Sequence, residues 1–139
     1  MVKHAQADEY SVIFAGTTAA TTTVAGTLDC QDADYATIVV AVSAEANTNS
    51  TNVVMAIQES DDTVVTNFAT FGDDNHSRTI DNTAAAVGVF HVNCVGRKRY
   101  LRVLATPDTT TNGAVIVSAT GQTCQRSAAA LASTASVEN

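Results

Sequence analysis

The amino-acid sequence predicts an all-β protein, either an antiparallel β-sandwich or a jelly-roll-like barrel, with about eight strands. Short apolar segments of strand length alternate with turn-forming segments along most of the chain. Val and Thr are frequent, and their branched side chains fit a pleated sheet better than a helix. The length of 139 residues fits a single domain with one hydrophobic core.

The predicted strands differ in how strongly the sequence marks them. In order along the chain they are segments 10–15, 21–28, 35–44, 52–60, 64–70, 87–94, 98–106 and 114–120. Segment 35–44 is the strongest, with Ile38 and Val40 on one face. Its other face carries Val39 and Ala41, so both faces are apolar, as in a central strand of a covered sheet.

Alternation also assigns an inward face to two later strands. Val53, Met55 and Ile57 are predicted to point inward from segment 52–60. The inward side chains of segment 98–106 are expected to be Leu101, Val103 and Ala105.

Turn-forming residues separate the strands. Gly16 is predicted to end the first strand, and Asp61–Asp62 to make a tight turn that joins segments 52–60 and 64–70 as a hairpin. The other predicted connections are the Asn-rich turn 47–52, the polar loop 72–82 with a short edge strand near Thr79 and Ile80, a turn at Gly96 and the turn 107–113.

The two ends of the chain differ in composition from the middle. Residues 1–9 are polar without periodicity and are predicted to form a flexible N-terminal arm. Residues 10–124 form the predicted β-sandwich domain. Residues 125–139 are rich in Ala, Ser and Thr, and we expect a C-terminal tail that becomes ordered on a partner.

Composition and charge exclude several classes of function. The net charge of −7 argues against nucleic-acid binding, which needs a basic footprint. No stretch approaches the ~20 apolar residues of a membrane span, so no membrane partner is expected. The first residues lack an apolar signal segment, which predicts synthesis in a cytoplasm. Only 15% of residues are charged, as suits a protein packed against other proteins.

Cys30, Cys94 and Cys124 are odd in number and widely spaced, which argues against a disulfide framework. We expect buried free thiols that act as small apolar side chains. One bridge formed after cell lysis is the alternative.

No residue pattern predicts catalysis, a metal or a cofactor. His91 and Cys94 lie three positions apart in a strand, so they are expected on opposite faces and could not both bind one metal without a bend. Segment 73–76 is acidic but misses the spacing of a calcium loop. The carboxylates of Glu59, Asp61 and Asp62 fit turn chemistry better than a catalytic pair. We therefore expect a protein that is not an enzyme.

A basic cluster is the most distinctive polar feature. Arg97, Lys98, Arg99 and Arg102 supply four of the seven Lys and Arg residues. They could dock an acidic patch on a partner, or keep a turn soluble and protect a sheet edge. The full set of predicted partner-contact residues is Lys3, His4, Arg97, Lys98, Arg99, Arg102, Arg126 and Leu131.

Three segments resemble a family of small structural proteins of tailed phages. They are Asp-Ala-Asp-Tyr at 32–35 ahead of the apolar run 38–42, Ala-Ile-Gln-Glu-Ser-Asp-Asp at 56–62 followed by Phe68, and Val-Gly-Arg-Lys-Arg-Tyr-Leu-Arg-Val at 95–103. With the final apolar strand, the resemblance covers residues 29–121. Thr63 replaces a Gly that is common in the family pattern, and the long tail also departs from it.

The resemblance implies a capsid decoration (cement) protein. Such a protein binds the major capsid protein on the outside of an icosahedral head, often as a homotrimer, and stabilises the seams between capsomers. A homodimer is the other assembly we consider. The expected location is the virion exterior, after synthesis in the cytoplasm of a bacterial host. The alternative function is a β-sandwich module of a tail or head fibre that binds glycans or a receptor.

Overall fold

The computed structural model describes residues 7–19, 22–44, 52–70, 77–108 and 115–125. These residues form nine strands and one short 3-10 turn, Val65–Asn67. The strands are β1 (Ala7–Ala19), β2 (Val24–Asp29), β3 (Tyr35–Val42), β4 (Asn52–Ser60), β5 (Ala69–Thr70), β6 (Ser77–Asp81), β7 (Ala86–Asn93), β8 (Tyr100–Asp108) and β9 (Val115–Gln125). None of these segments is a helix with the length and apolar character needed to cross a bilayer.

The strands form two antiparallel sheets that pack face to face. Sheet I has the order β1-β9-β3-β7, and sheet II has the order β2-β8-β4, with β5 and β6 both paired to the far side of β4. Because β5 and β6 share one position, the nine strands fill eight positions. The first strand pairs with the last and β2 with β8, which is the order of a double-sheet jelly roll. In the part of the chain that the structure describes both sheets are open, so the sandwich is confirmed and the barrel is not.

The core between the sheets follows the predicted alternation. The side chains of Val53, Met55 and Ile57 on β4 are buried, as are those of Leu101, Val103 and Ala105 on β8. Sheet I contributes an equivalent set, which is Ala36, Ile38, Val40, Val42, Phe90, Val92, Val115, Val117 and Ala119. The buried side chains are mostly branched aliphatics, as expected from a composition with 5% aromatic residues.

The first strand is longer than its sequence predicted. β1 begins at Ala7, inside the predicted arm, and continues through Gly16 to Ala19. Pairing with β9 holds β1 in the sheet along this length. β1 has 13 residues and β9 has 11. Two register irregularities, between Val12 and Phe14 and between Phe14 and Thr17, accommodate the difference in length. Gly16 is exposed and has no positive φ, so it does not end the strand.

The predicted hairpin after β4 is wrong for most of its second strand. The Asp62 side chain accepts hydrogen bonds from the Val64 backbone N–H at 2.9 Å and from the Asn67 amide at 2.8 Å. These bonds wind the chain into the 3-10 turn, as Asp commonly does in turns. Only Ala69 and Thr70 then pair with β4. The edge strand predicted near Ile80 is confirmed as β6.

Pro107 was predicted to begin a turn but lies within β8, where it pairs with Val53 of β4. A proline cannot donate to a sheet and is restricted to edges, strand starts or bulges. On the other side of β8, pairing with β2 extends only from Tyr100 to Ala105. At Pro107, β8 therefore has no partner strand on its β2 side among the described residues. A proline is tolerated at such an edge position, so the strand can continue through it.

Candidate functional site

The outer face of sheet I is formed by four paired strands. Registered pairs place outward side chains in rows that cross all four strands, such as Tyr10, Gln122, Thr37 and His91. We call these side chains the uncharged face. Its members are Tyr10, Val12, Tyr35, Thr37, Val39, Ala41, Val87, Val89, His91, Asn93, Ile116, Ser118, Thr120, Gln122 and Cys124.

Several branched apolar side chains on the uncharged face are open to solvent. Val12 is 70% exposed, Val87 61% and Ile116 51%. Val39 and Ala41, near the middle of the face, are half-buried by their neighbours in the sheet. The sequence predicted that both faces of this sheet are covered, and that prediction is wrong for the described residues, because none of their elements lies over the outer face.

The charged side chains that the structure describes lie away from this face. Where the structure describes the side chain, every Asp, Glu, Lys and Arg belongs to sheet II or to a loop. Sheet II carries Asp29 and Arg102 on outward positions, whereas the outward positions of β3, β7 and β9 carry none. Among the side chains that the structure describes, the charged ones therefore lie on sheet II and in the loops, although β1 also contains Asp8 and Glu9.

The dimensions of the uncharged face suit contact with a protein. Four strands about 4.8 Å apart and four rows about 7 Å apart give a projected area of roughly 500 Å². A stable protein interface buries about 800 Å² on each partner. The uncharged face could supply more than half of such an interface.

The predicted basic cluster lies mainly in the β7–β8 loop, and three of its four cations have acidic partners within the chain. Arg99 forms a bidentate pair with Asp29, with Nη2 at 2.6 Å from Oδ2 and Nε at 3.0 Å from Oδ1. Lys98 Nζ lies 3.4 Å from Asp61 Oδ2. Arg97 Nη1 lies 3.9 Å from Glu59 Oε2. These pairs join the β7–β8 loop to β2 and to the end of β4.

Arg102 differs from the other three cations. It lies on the outward face of β8, with its guanidinium 5.8 Å from the centre of the Phe68 ring, within the range of a cation–π contact. Lys3, His4, Arg126 and Leu131 lie outside the described residues. The structure thus brings Arg97, Lys98 and Arg99 together at one end of the sandwich, and the role of all eight residues in partner contact stays a prediction.

The ion pair between Asp29 and Arg99 changes the acidity of both groups. The hydrogen bond from Arg99 lowers the pKa of the Asp29 carboxyl below its ordinary value, and the Gln31 backbone N–H adds to the effect. The same hydrogen bond raises the pKa of the Arg99 guanidinium. The side chains are about half exposed, so the pair serves to orient the loop more than to stabilise the fold.

The other polar groups considered from the sequence do not form a reaction centre in the described part of the chain. Glu59, Asp61 and Asp62 are each occupied by ion pairs or turn hydrogen bonds. His91 is exposed and its Nδ1 lies 3.2 Å from Thr37 Oγ1, whereas Cys94 is buried on the other side of the sheet. The described residues contain no group of three or more His, Cys, Asp or Glu able to hold a metal ion. Segment 73–76 lies outside the described residues.

The uncharged face was the feature that sequence reasoning missed, although its signal is present. Alternate positions of three strands lack Asp, Glu, Lys and Arg, namely 35–41, 87–93 and 116–124 taken in steps of two, although the predicted last strand ended at residue 120. Strand pairing is needed to show that these three sets adjoin one another.

Comparison of the chain with protein-family models and with curated proteins finds no match.

Proposed function

We propose that this protein is a virion structural protein that binds the outside of an icosahedral phage capsid and stabilises it across the seams between capsomers. The observation that carries the proposal is the uncharged face of sheet I, which we assign as the surface that contacts the major capsid protein. The resemblance of residues 29–121 to small phage structural proteins supports the same assignment. The jelly-roll order does not discriminate, because capsid proteins and lectins both use it.

Binding to a capsid exterior would place the two sides of the sandwich in different environments. The uncharged face would lose water on docking, which favours association in proportion to the apolar area removed from solvent. The charged side would face solvent and keep the particle surface hydrated. A chain with a net charge of −7 and 15% charged residues fits this arrangement when its charges are concentrated on the exposed side.

The two chain ends offer further contacts. Ala7 pairs with Gln125, so β1 begins beside the point where β9 ends, and the chain continues from these two points as segments 1–6 and 126–139. Lys3, His4, Arg126 and Leu131 belong to these segments. A segment that becomes ordered on a neighbouring subunit adds contact area at an entropic cost, and several contacts repeated around a symmetry axis give avidity without one very tight site.

We further propose a homotrimer that assembles where capsomers meet, with a homodimer as the second possibility. Sedimentation equilibrium of the purified protein distinguishes these assemblies from a monomer. The proposed location is the virion exterior, reached by assembly after synthesis in the cytoplasm of a bacterial host.

Co-sedimentation with expanded capsids that have been stripped of accessory proteins tests the function. We expect saturable binding at a fixed ratio to the major capsid protein, and the ratio identifies the symmetry axis occupied. No binding at physiological salt, or absence of the protein from purified virions, would sink the proposal.

One observation favours the alternative of a glycan-binding module. Tyr10 and Tyr35 are both exposed on the uncharged face, where their rings could stack on sugars. Glycan-array binding that is lost in Tyr10→Ala and Tyr35→Ala would establish this alternative. A flat array response would remove it.

A further inference from the structure

Two cysteines that are distant in sequence meet at one end of the sandwich. Cys30 follows β2 and Cys94 follows β7, and both are buried. They line a cleft of about 430 Å³ between the loop that joins β2 to β3 and the loop that joins β7 to β8. Asp34 and Arg97 also line this cleft, which is open to solvent at the loop end.

Backbone hydrogen bonds fix both cysteines in the same way. The Cys30 N–H donates to the Arg99 carbonyl at 2.8 Å, and the Cys94 N–H donates to the Asp34 carbonyl at 2.8 Å. Each cysteine binds one loop to the other through its own N–H. The relative position of the two Cα atoms is therefore held by hydrogen bonds on both sides of the cleft.

Each cysteine is also the first residue of a turn. The Cys30 carbonyl accepts from the Ala33 N–H at 3.1 Å, and the Cys94 carbonyl accepts from the Arg97 N–H at 3.1 Å. The third residues of these turns, Asp32 and Gly96, have φ values of 62° and 77°. A positive φ at the third position is the signature of a type II or I′ turn, which reverses the chain sharply. Each of the two cysteines that line the cleft thus begins a sharp turn.

The two thiols influence one another's acidity. A hydrogen bond from the Cys30 thiol to the Cys94 sulfur lowers the pKa of the Cys94 thiol while raising that of Cys30. At Cys94, burial and the charge of Asp34 raise the pKa of the thiol, whereas the charge of Arg97 lowers it. The Cys94 Sγ also lies 3.7 Å from the Val92 carbonyl oxygen, to which it donates when protonated.

We propose that Cys30 and Cys94 form a redox-active dithiol that closes to a disulfide when the protein meets a peroxide, fastening the β2–β3 loop to the β7–β8 loop. The geometry behind the proposal is that both cysteines line one cleft, on two loops whose backbones are hydrogen-bonded to each other beside each cysteine. Cys124 is the third thiol and lies on the uncharged face, so it takes no part.

The chemistry balances with hydrogen peroxide as the oxidant. The Cys94 thiolate attacks one peroxide oxygen and breaks the O–O bond, which gives Cys94 sulfenic acid and hydroxide. The Cys30 sulfur then attacks the Cys94 sulfur and displaces the sulfenic oxygen, which leaves as water with the Cys30 proton. Overall, two thiols are oxidised to one disulfide and one peroxide is reduced to two waters. A peroxide is small enough to reach buried thiols through the cleft.

The bond would close a loop between residues 30 and 94 that includes β3 to β7. Closing a loop of this length lowers the entropy of the unfolded chain, and we expect Tm to rise by roughly 10 °C. The protein would then be more stable outside the reducing cytoplasm than within it. This inference does not depend on the partner that the protein binds.

The experiment treats the full-length, reduced protein with hydrogen peroxide and follows intact mass, peptide maps and Tm. We expect loss of two hydrogen atoms, one bridged peptide that contains Cys30 and Cys94, and a higher Tm that a phosphine reductant reverses. The Cys124→Ser variant is the matched control and should respond like the wild type.

Two further variants distinguish the roles of the two sulfurs. In Cys30→Ser the Cys94 sulfenic acid cannot close and should be trapped by a dimedone probe, whereas Cys94→Ser should give much less trapped product. A bridge that includes Cys124, or no loss of hydrogen under conditions that oxidise Cys124, would overturn the proposal. Both of these results come from the wild-type protein, so they hold even when a variant folds poorly.

Discussion

Gly26→Ala tests how closely the two sheets approach at the corner where β1 and β2 meet. A Cβ atom at Gly26 would lie 2.3 Å from the Ile13 carbonyl oxygen and 2.7 Å from the Ile13 Cγ2. The nearest obstacle is backbone, so a rotamer change cannot relieve it, and β1 and β2 must separate by several tenths of an ångström. Overpacking of this kind costs about 1–3 kcal/mol of unfolding free energy, which corresponds to a fall in Tm of roughly 4–12 °C.

Gly16→Ala is the matched control for this prediction. Gly16 lies in β1, and a Cβ there would meet only the Ile116 Cγ2 at 3.4 Å, an ordinary van der Waals distance. Removing a glycine from a strand should stabilise the protein by about 0.5 kcal/mol, because the unfolded chain loses freedom. Urea unfolding followed by circular dichroism measures both changes. A Gly26→Ala midpoint equal to that of the wild type would refute the close approach of β1 to β2.

Three other substitutions test separate features. Met55→Ala should lower the unfolding free energy by about 2–5 kcal/mol in urea, because it empties a fully buried site between the sheets; a loss below 1 kcal/mol would contradict that packing. Gly96→Ala should cost about 1 kcal/mol in the same assay, because φ is 77° although no atom lies near the added methyl. Asp29→Asn should remove a pH-dependent part of stability. The pKa of Asp29 is lowered in the folded protein, so its contribution is complete above the ordinary value of 3.8 and is lost as pH falls through the folded pKa. Thermal unfolding from pH 2 to pH 7 should show wild type and Asp29→Asn converging at low pH, and parallel curves would contradict the ion pair.

Much of the sandwich could be predicted because alternation has a period of two and marks one buried face. Val53, Met55 and Ile57 are inward for this reason alone. The exceptions depend on pairing partners. β1 continues through Gly16 because β9 lies beside it, and β8 can continue through Pro107 because its pairing with β2 stops at Ala105.

The candidate sites were harder to predict because they join distant parts of the chain. Asp29 and Arg99 are separated by 70 positions, and only the pairing of β2 with β8 brings them together. The same pairing leads the chain from β2 to Cys30, opposite the loop that begins at Cys94. The sequence showed the apolar outer side of β3 but not that it stays uncovered by the described residues.

Binding of face variants to stripped, expanded capsids tests the central claim most directly. Val87→Glu places a charge at an exposed site of the uncharged face, and Val54→Glu places the same charge on the outward side of sheet II. An unpaired charge buried in an interface should reduce affinity at least tenfold, about 1.4 kcal/mol. We predict that Val87→Glu loses co-sedimentation while Val54→Glu binds like the wild type. Wild-type binding by Val87→Glu, or equal loss by both variants, would contradict docking through the uncharged face.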